Sequence, residues 1–245
     1  MSLVSASGFI GGIKEYAFHG MQQLPLVMTM TSFLFTITTG SIAHATMTIG
    51  LGVIMPLYTV IAQQISSFLL NRLDKDGITG WTRSTVDVCH IVPSHKDLKS
   101  LAYYSKPGTD TTAVVPGYWI ISMGFFFGYV ISNALETLQQ PAVAGADPIG
   151  HEKRNTQAMF LLAATIIMAL IFFVVRFYFM SDCEGRGATG KAVSVFFGLS
   201  AYGIGAMFYT LSRACGARSS DLFGVLSQIL PASATSQNPV VCSSD

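Results

Sequence analysis

The sequence predicts an all-α membrane protein: a polytopic bundle of about five transmembrane helices with a polar loop, a C-terminal surface helix and an extended tail. Three observations lead there. Only 11% of the 245 residues are Asp, Glu, Lys or Arg, while 51% are apolar; a soluble domain carries about 25% charged residues. Charge is missing from four long stretches, 16–71, 111–135, 155–175 and 192–212, which together make up half the chain. The basic residues, finally, gather in alternate connecting segments, as they do in polytopic chains. A net charge of +1 gives no basic face for nucleic acid. The composition also excludes a disordered chain and a disulfide-rich secreted module.

Each span follows from length. A hydrocarbon core of about 30 Å takes roughly 20 helical residues, so the first stretch holds two helices. One runs from Leu24 to about Gly40, with Pro25 near its start, where a missing N–H costs nothing. The turn falls at Gly40 to His44, and the second helix covers Ala45 to Leu70, interrupted by Gly50, Gly52 and Pro56. The third is Val115–Leu135, with Tyr118 and Trp119 expected as interfacial aromatics. The fourth is Ala158–Val175, closed by Arg176 reaching back to the head groups. The fifth is Ala192–Leu211, closed by Arg213.

The chain therefore divides into 1–70, an N-terminal segment with helices one and two; 71–113, a polar loop; 114–211, helices three to five; and 212–245, a surface helix and tail. Lys14, the six basic residues of loop 71–113, and Arg176, Arg186 and Lys191 fall on one side of a five-span arrangement. Lys153, Arg154, Arg213 and Arg218 fall on the other. The positive-inside bias then puts the N-terminus on the cytosolic side. No cleavable signal peptide and no internal repeat are expected.

Several motifs suggest chemistry that their context does not support. Gly185 to Gly190-Lys191 has phosphate-loop spacing, but Ala192 stands where Ser or Thr would hold magnesium, and no strand precedes it. Asp74, Asp76 and Gly77 hint at a calcium loop, yet the first and twelfth positions would be Arg72 and Arg83. Cys89, His90 and His95 lack the two tight pairs of a zinc site. None of the spans carries a central acid or base of the kind ion-coupled transporters use. His44 is placed at a turn, and Asn133, Gln63 and Gln64 near span ends. Hence no catalytic residues, no cofactor, no metal, no nucleic acid and no small-molecule substrate are expected. The remaining signal is small residues for close helix packing: Gly124 and Gly128 in the third span, and Gly198, Ala201, Gly203 and Gly205 in the fifth.

Beyond the last span, Ser219, Ser220 and Asp221 offer caps. Leu222, Phe223, Val225, Leu226, Ile229 and Leu230 recur at helical spacing until Pro231 ends the run. The segments Arg213-Ala-Cys215-Gly216-Ala217, Ser220-Asp221-Leu-Phe-Gly224-Val and Pro239-Val-Val-Cys242 resemble the tails of small membrane proteins of large nucleocytoplasmic DNA viruses such as the chlorella viruses. The resemblance covers roughly the last 55 residues. It implies a virion protein in the membrane beneath an icosahedral capsid, in contact with the lipid bilayer and with other membrane or minor capsid proteins.

The expected function is thus structural, anchoring a viral inner membrane to its capsid shell. The alternatives are a non-catalytic accessory subunit of a large membrane complex, or a channel or transporter subunit. The five-span topology sorts the cysteines as well. Cys89 and Cys183 fall on the more basic side, and Cys215 and Cys242 together on the other, where a disulfide between them is expected.

Overall fold

The structure, a computed structural model, describes residues 6–73, 83–84, 113–139, 148–179 and 187–216. Almost all of them are helical. Helix α1 covers Ala6–Thr39; α2 covers Ile42–Ile49 and continues through a π-helical segment, Gly50–Ile54, into α3, Met55–Leu73. Two short strands follow, β1 (Arg83–Ser84) and β2 (Ala113–Val114), paired antiparallel with Arg83 opposite Val114. After a cis Val115–Pro116 peptide come α4 (Tyr118–Gln139), α5 (Pro148–Val174, running into a π turn Val175–Phe179) and α6 (Gly187–Ala214).

Among the described residues, four helical segments are long and apolar enough to cross a membrane: Ile42–Ser66, Tyr118–Gln139, Arg154–Tyr178 and Gly190–Ala214. That is one fewer than the five expected. Helix α1 is longer than expected, beginning at Ala6 rather than Leu24, but its Gln, Thr and Ser content holds it below the other four. Pro25 lies well inside α1, not at its start.

The turn between α1 and α2 has a local cause. Gly40 adopts φ of 64°, the left-handed conformation that glycine takes without a Cβ penalty, and its N–H closes on the Thr36 carbonyl at 2.9 Å. Gly216 ends α6 in the same way, with φ of 93°.

Contacts fix the helix directions. Ser32 Oγ donates to the His44 carbonyl at 3.1 Å, so α1 and α2 form a hairpin. Tyr118 reaches Leu51 and Tyr129 reaches Ala43, so α4 runs antiparallel to α2–α3. Trp119 packs against Phe172, placing the start of α4 beside the end of α5. Gly124 meets Gly198 and Gly128 meets Tyr202, so α6 runs parallel to α4. Helices α1, α4 and α6 thus point one way, α2–α3 and α5 the other.

Helix α4 is the centre of the bundle: 67% of its apolar window is buried inside the protein, against 11% for α5. Leu51, Met55, Ile121, Phe125, Tyr129 and Ala201 form the heart of the core. The outside is apolar. Phe160, Ile167, Leu170 and Ile171 of α5 and Phe196, Leu199 and Met207 of α6 are exposed, a coat suited to lipid and costly in water.

Helix α1 shares this inside-out pattern. Leu26, Met30, Phe33 and Ile37 face outward, while Pro25 and Ser32 are buried and Thr29 and Thr36 half-buried. The hydroxyls of Thr29, Ser32 and Thr36 turn in and find partners, whereas Thr31, Thr38 and Thr39 are exposed. Thr29 donates to the Pro25 carbonyl at 2.8 Å, Thr36 to the Ser32 carbonyl at 2.9 Å, and Thr48 of α2 to Ser32 Oγ at 3.0 Å.

Candidate functional site

Two constellations on α4 organise the molecule. The first is its seam with α6. A Cβ built on Gly128 would stand 2.0 Å from the Tyr202 carbonyl oxygen, one on Gly205 2.1 Å from that of Phe125, and one on Gly124 2.3 Å from that of Gly198. The two backbones are therefore in direct contact at three places. Ala201 is fully buried in the same seam. A Cβ on Gly198 would meet Ile120 Cγ1 at 3.1 Å. Gly203 is a correction: it is exposed, and an added Cβ would meet nothing within 4 Å. Residues 198, 201 and 205 recur three and four apart and share a face, whereas 203 is two residues from 201 and points away.

The second constellation is the first turn of α4. Trp119 Nε1 donates to the Met21 carbonyl at 2.7 Å, and Tyr118 Oη donates to the Leu51 carbonyl at 2.9 Å. Both acceptors are carbonyls that a proline deprives of an N–H. In α1 the Met21 carbonyl would be met by residue 25, which is Pro25. In the π segment a carbonyl is met five residues on; the Met55 N–H reaches the Gly50 carbonyl in this way. For Leu51 the fifth residue is Pro56, which has no N–H. Adjacent side chains of α4 thus satisfy one orphaned carbonyl on each of two neighbouring helices. In lipid no water could do so.

The third helix joins the same turn. The Arg176 guanidinium carbon is 5.0 Å from the Trp119 ring centroid, a cation–π arrangement. Arg176 was expected to reach the head groups, and Tyr118 and Trp119 to lie at the interface. Instead Arg176 and Trp119 are each only 2% exposed, and Tyr118 is half-buried. Thr165, Phe172 and Arg176 are spaced seven and four residues apart, on the side of α5 that packs against α4. Arg176 therefore points into the bundle. Close by, Lys191 Nζ donates to the Phe177 carbonyl at 3.3 Å, where a cation near the C-terminal end of a helix is favourable.

The opposite end of the bundle carries an ion pair. Arg213 Nε stands 2.7 Å from Glu136 Oε1, with both side chains about one-third exposed at 30% and 33%. One turn deeper, Asn133 Nδ2 donates to Tyr209 Oη at 3.4 Å. Asn133 is buried within α4. His44 is buried in α2 rather than placed at the turn, its ring 5.2 Å from that of Phe35. Gln63 Nε2 donates to the Pro116 carbonyl at 3.0 Å, tying α3 to the approach to α4, and Gln64 is exposed.

Gly190 and Lys191 fall in the opening turns of α6, so the end of the apparent phosphate-loop motif is helical. Gly185, Asp74, Asp76, Gly77, Cys89, His90, His95, Cys183 and Cys242 lie outside the described residues, as do the expected tail helix from Asp221 and most of loop 71–113. Cys215 is exposed at the end of α6. Among the described residues no three His, Cys, Asp or Glu side chains gather as a metal site would require. The polar groups that do converge serve to join helices. Comparison with protein-family models, with curated proteins and with solved structures finds no match to this chain.

Proposed function

We propose that the chain is a structural integral membrane protein of a virion, which crosses the inner membrane five times and links it to the capsid shell. The observation that supports a structural role is the α4–α6 seam, where three glycines bring backbone against backbone. Such contact gives a stiff pair of parallel helices around which the other helices are pinned. The fifth crossing is α1. Its outward face carries Leu26, Met30, Phe33 and Ile37, the hydroxyls of Thr29, Ser32 and Thr36 point inward, and its direction continues the alternation of the other four segments.

The virion assignment draws on the tail motifs around Cys215, Asp221 and Cys242. In this reading the N-terminus and loop 71–113 face one compartment and the tail the other, and partners are the bilayer and neighbouring membrane or capsid proteins. Quantitative proteomics of purified virions against host membranes tests it. Enrichment in particles at a fixed ratio to capsid protein is the expected result. Recovery in a host membrane complex, absent from particles, rejects the virion role in favour of an accessory subunit.

A further inference from the structure

The π segment Gly50–Ile54 and Pro56 pose a choice of register, and we infer that the Tyr118 hydroxyl decides it, acting as a latch on a two-register hinge between α2 and α3. Such a latch is independent of the virion role. In a plain α-helix the proline would leave the Gly52 carbonyl without an N–H, and its ring would press on that same carbonyl. In the π geometry the Met55 N–H is taken by the Gly50 carbonyl, so Leu51, whose fifth residue is Pro56, lacks a helical donor. There the Tyr118 hydroxyl donates at 2.9 Å. Gly50 leaves the space that the wide turn and its neighbour require: a Cβ there would stand 2.1 Å from Phe125 Cζ.

The two registers differ in what α2 presents. Closing the π turn to α removes one residue of offset. Everything before Gly50 would then rotate by about 100° relative to α3. In the π register Ile49, Val53, Leu57 and Ile61 form one exposed stripe, while Ala43, His44 and Met47 are buried against the rest of the bundle. The rotation would pull Ala43 and Thr46 away from Tyr129, which holds them at 2.8 and 2.9 Å. Helix α1 would follow, because Ser32 is bonded to His44 and Thr48 of α2. The hinge thus divides a movable α1–α2 hairpin from the α4–α6 seam.

The latch is also placed where an outside event could release it. Tyr118 follows β2 by only a few residues, and β2 pairs with β1 of loop 71–113. Gln63 holds Pro116 in the same short link. A partner that displaced this link would carry the hydroxyl away from Leu51.

The test uses the full chain in lipid nanodiscs, with native cysteines changed to serine and a spin label placed in turn at Ile42, Ile49, Leu57 and Ile61. Oxygen accessibility reports which face meets lipid. Tyr118→Phe is expected to raise the rotated population roughly three- to tenfold. Labels at Ile42 and Ile49 should lose accessibility while those at Leu57 and Ile61 keep it. In a Pro56→Ala background the restored N–H can serve the carbonyl in either register, so Tyr118→Phe should have no further effect. An unchanged pattern in Tyr118→Phe, or an equal change in the Pro56→Ala background, overturns the inference. Should Tyr118→Phe fail to fold, the double variant decides: rescue by Pro56→Ala supports the latch, and failure to rescue refutes it.

Discussion

The indole of Trp119 donates its one hydrogen bond to the carbonyl of Met21, 98 residues earlier in the chain and 2.7 Å away. Pro25 is the reason that carbonyl is available. Indole nitrogen is a donor only, and the carbonyl of Met21 has lost its helical donor, so each completes the other. Beside it Tyr118 does the same for Leu51 and Pro56. Helix breakers in α1 and α3 are thus converted into tertiary contacts by one dipeptide of α4.

Trp119→Phe keeps most of the buried area and removes this donor. A buried carbonyl left unmet costs about 1–3 kcal/mol, and that loss is expected in unfolding by SDS titration. In a Pro25→Ala background, where residue 25 supplies the N–H, the loss should shrink to little more than the change in packing. Equal losses in both backgrounds would show that the hydrogen bond is not the cause.

The glycines separate by face. Gly128→Ala and Gly205→Ala place a methyl about 2 Å from a backbone carbonyl oxygen, so the helices must part. A loss of several kcal/mol, or failure to fold, is expected from overpacking against rigid backbone. Gly203→Ala has open space and should be neutral or stabilise by up to about 1 kcal/mol, the difference in helix propensity. Reversed sensitivities would mean that a neighbouring protein, rather than α4, occupies the Gly203 face.

The proposed five crossings would put the native Cys89 and Cys242 on opposite sides of the membrane, with the N-terminus on the side of Cys89. Single-cysteine variants, including one with Ser2→Cys, report this through side-selective maleimide labelling in sealed vesicles. Cys89 and the thiol introduced at Ser2 should react from one side, and Cys242 only from the other. Labelling of Cys89 and Cys242 from the same side would remove one of α4, α5 and α6 from the membrane. A thiol at Ser2 opposite Cys89 would leave four crossings and set α1 on the surface.

Cys215 follows α6 as an exposed thiol, and the sequence leads us to expect its pairing with Cys242. The expected bridge would close a loop of 26 residues, 216–241, and stabilise by about 3–4 kcal/mol in the loop-entropy account. Non-reducing peptide mapping of freshly alkylated protein should recover the two cysteines as one linked peptide. An alkylated Cys242 in that material would refute the bridge.

The lipid-facing helices are legible in the sequence because a full span without charge is at home in hydrocarbon and out of place against water. Helix α5 is the clearest case: its apolar stretch is the least buried of the four candidate spans. The seam is half legible. Small-residue spacing marks Gly124, Gly128, Gly198 and Gly205, but Gly203 needs a partner's position to show that it turns away. The first turn of α4 misleads for a definite reason. Tyr118, Trp119 and Arg176 stand at span ends, where such residues usually meet the head groups. What draws them inward is the orphaned carbonyls of Met21 and Leu51 and the packing side of α5, which only the neighbouring helices supply. The cue is present in the sequence as Pro25 and Pro56, each inside an apolar run. Reading Pro25 as the start of a helix conceals it.

The left-handed Gly40 has a consequence for biogenesis. With only Gly40 and Ser41 between α1 and α2, the proposed crossing of α1 would have to be made together with that of the second helix. Alone, α1 would offer the insertion machinery Ser32 without the His44 carbonyl and the Thr48 hydroxyl of α2 beside it. As a preformed hairpin the pair conceals Ser32 and the His44 carbonyl between its helices. Integration is therefore expected to be concerted. In a glycosylation-reporter assay a chain cut after Gly40 should insert poorly, and one extended through Ser66 should restore the crossing of α1.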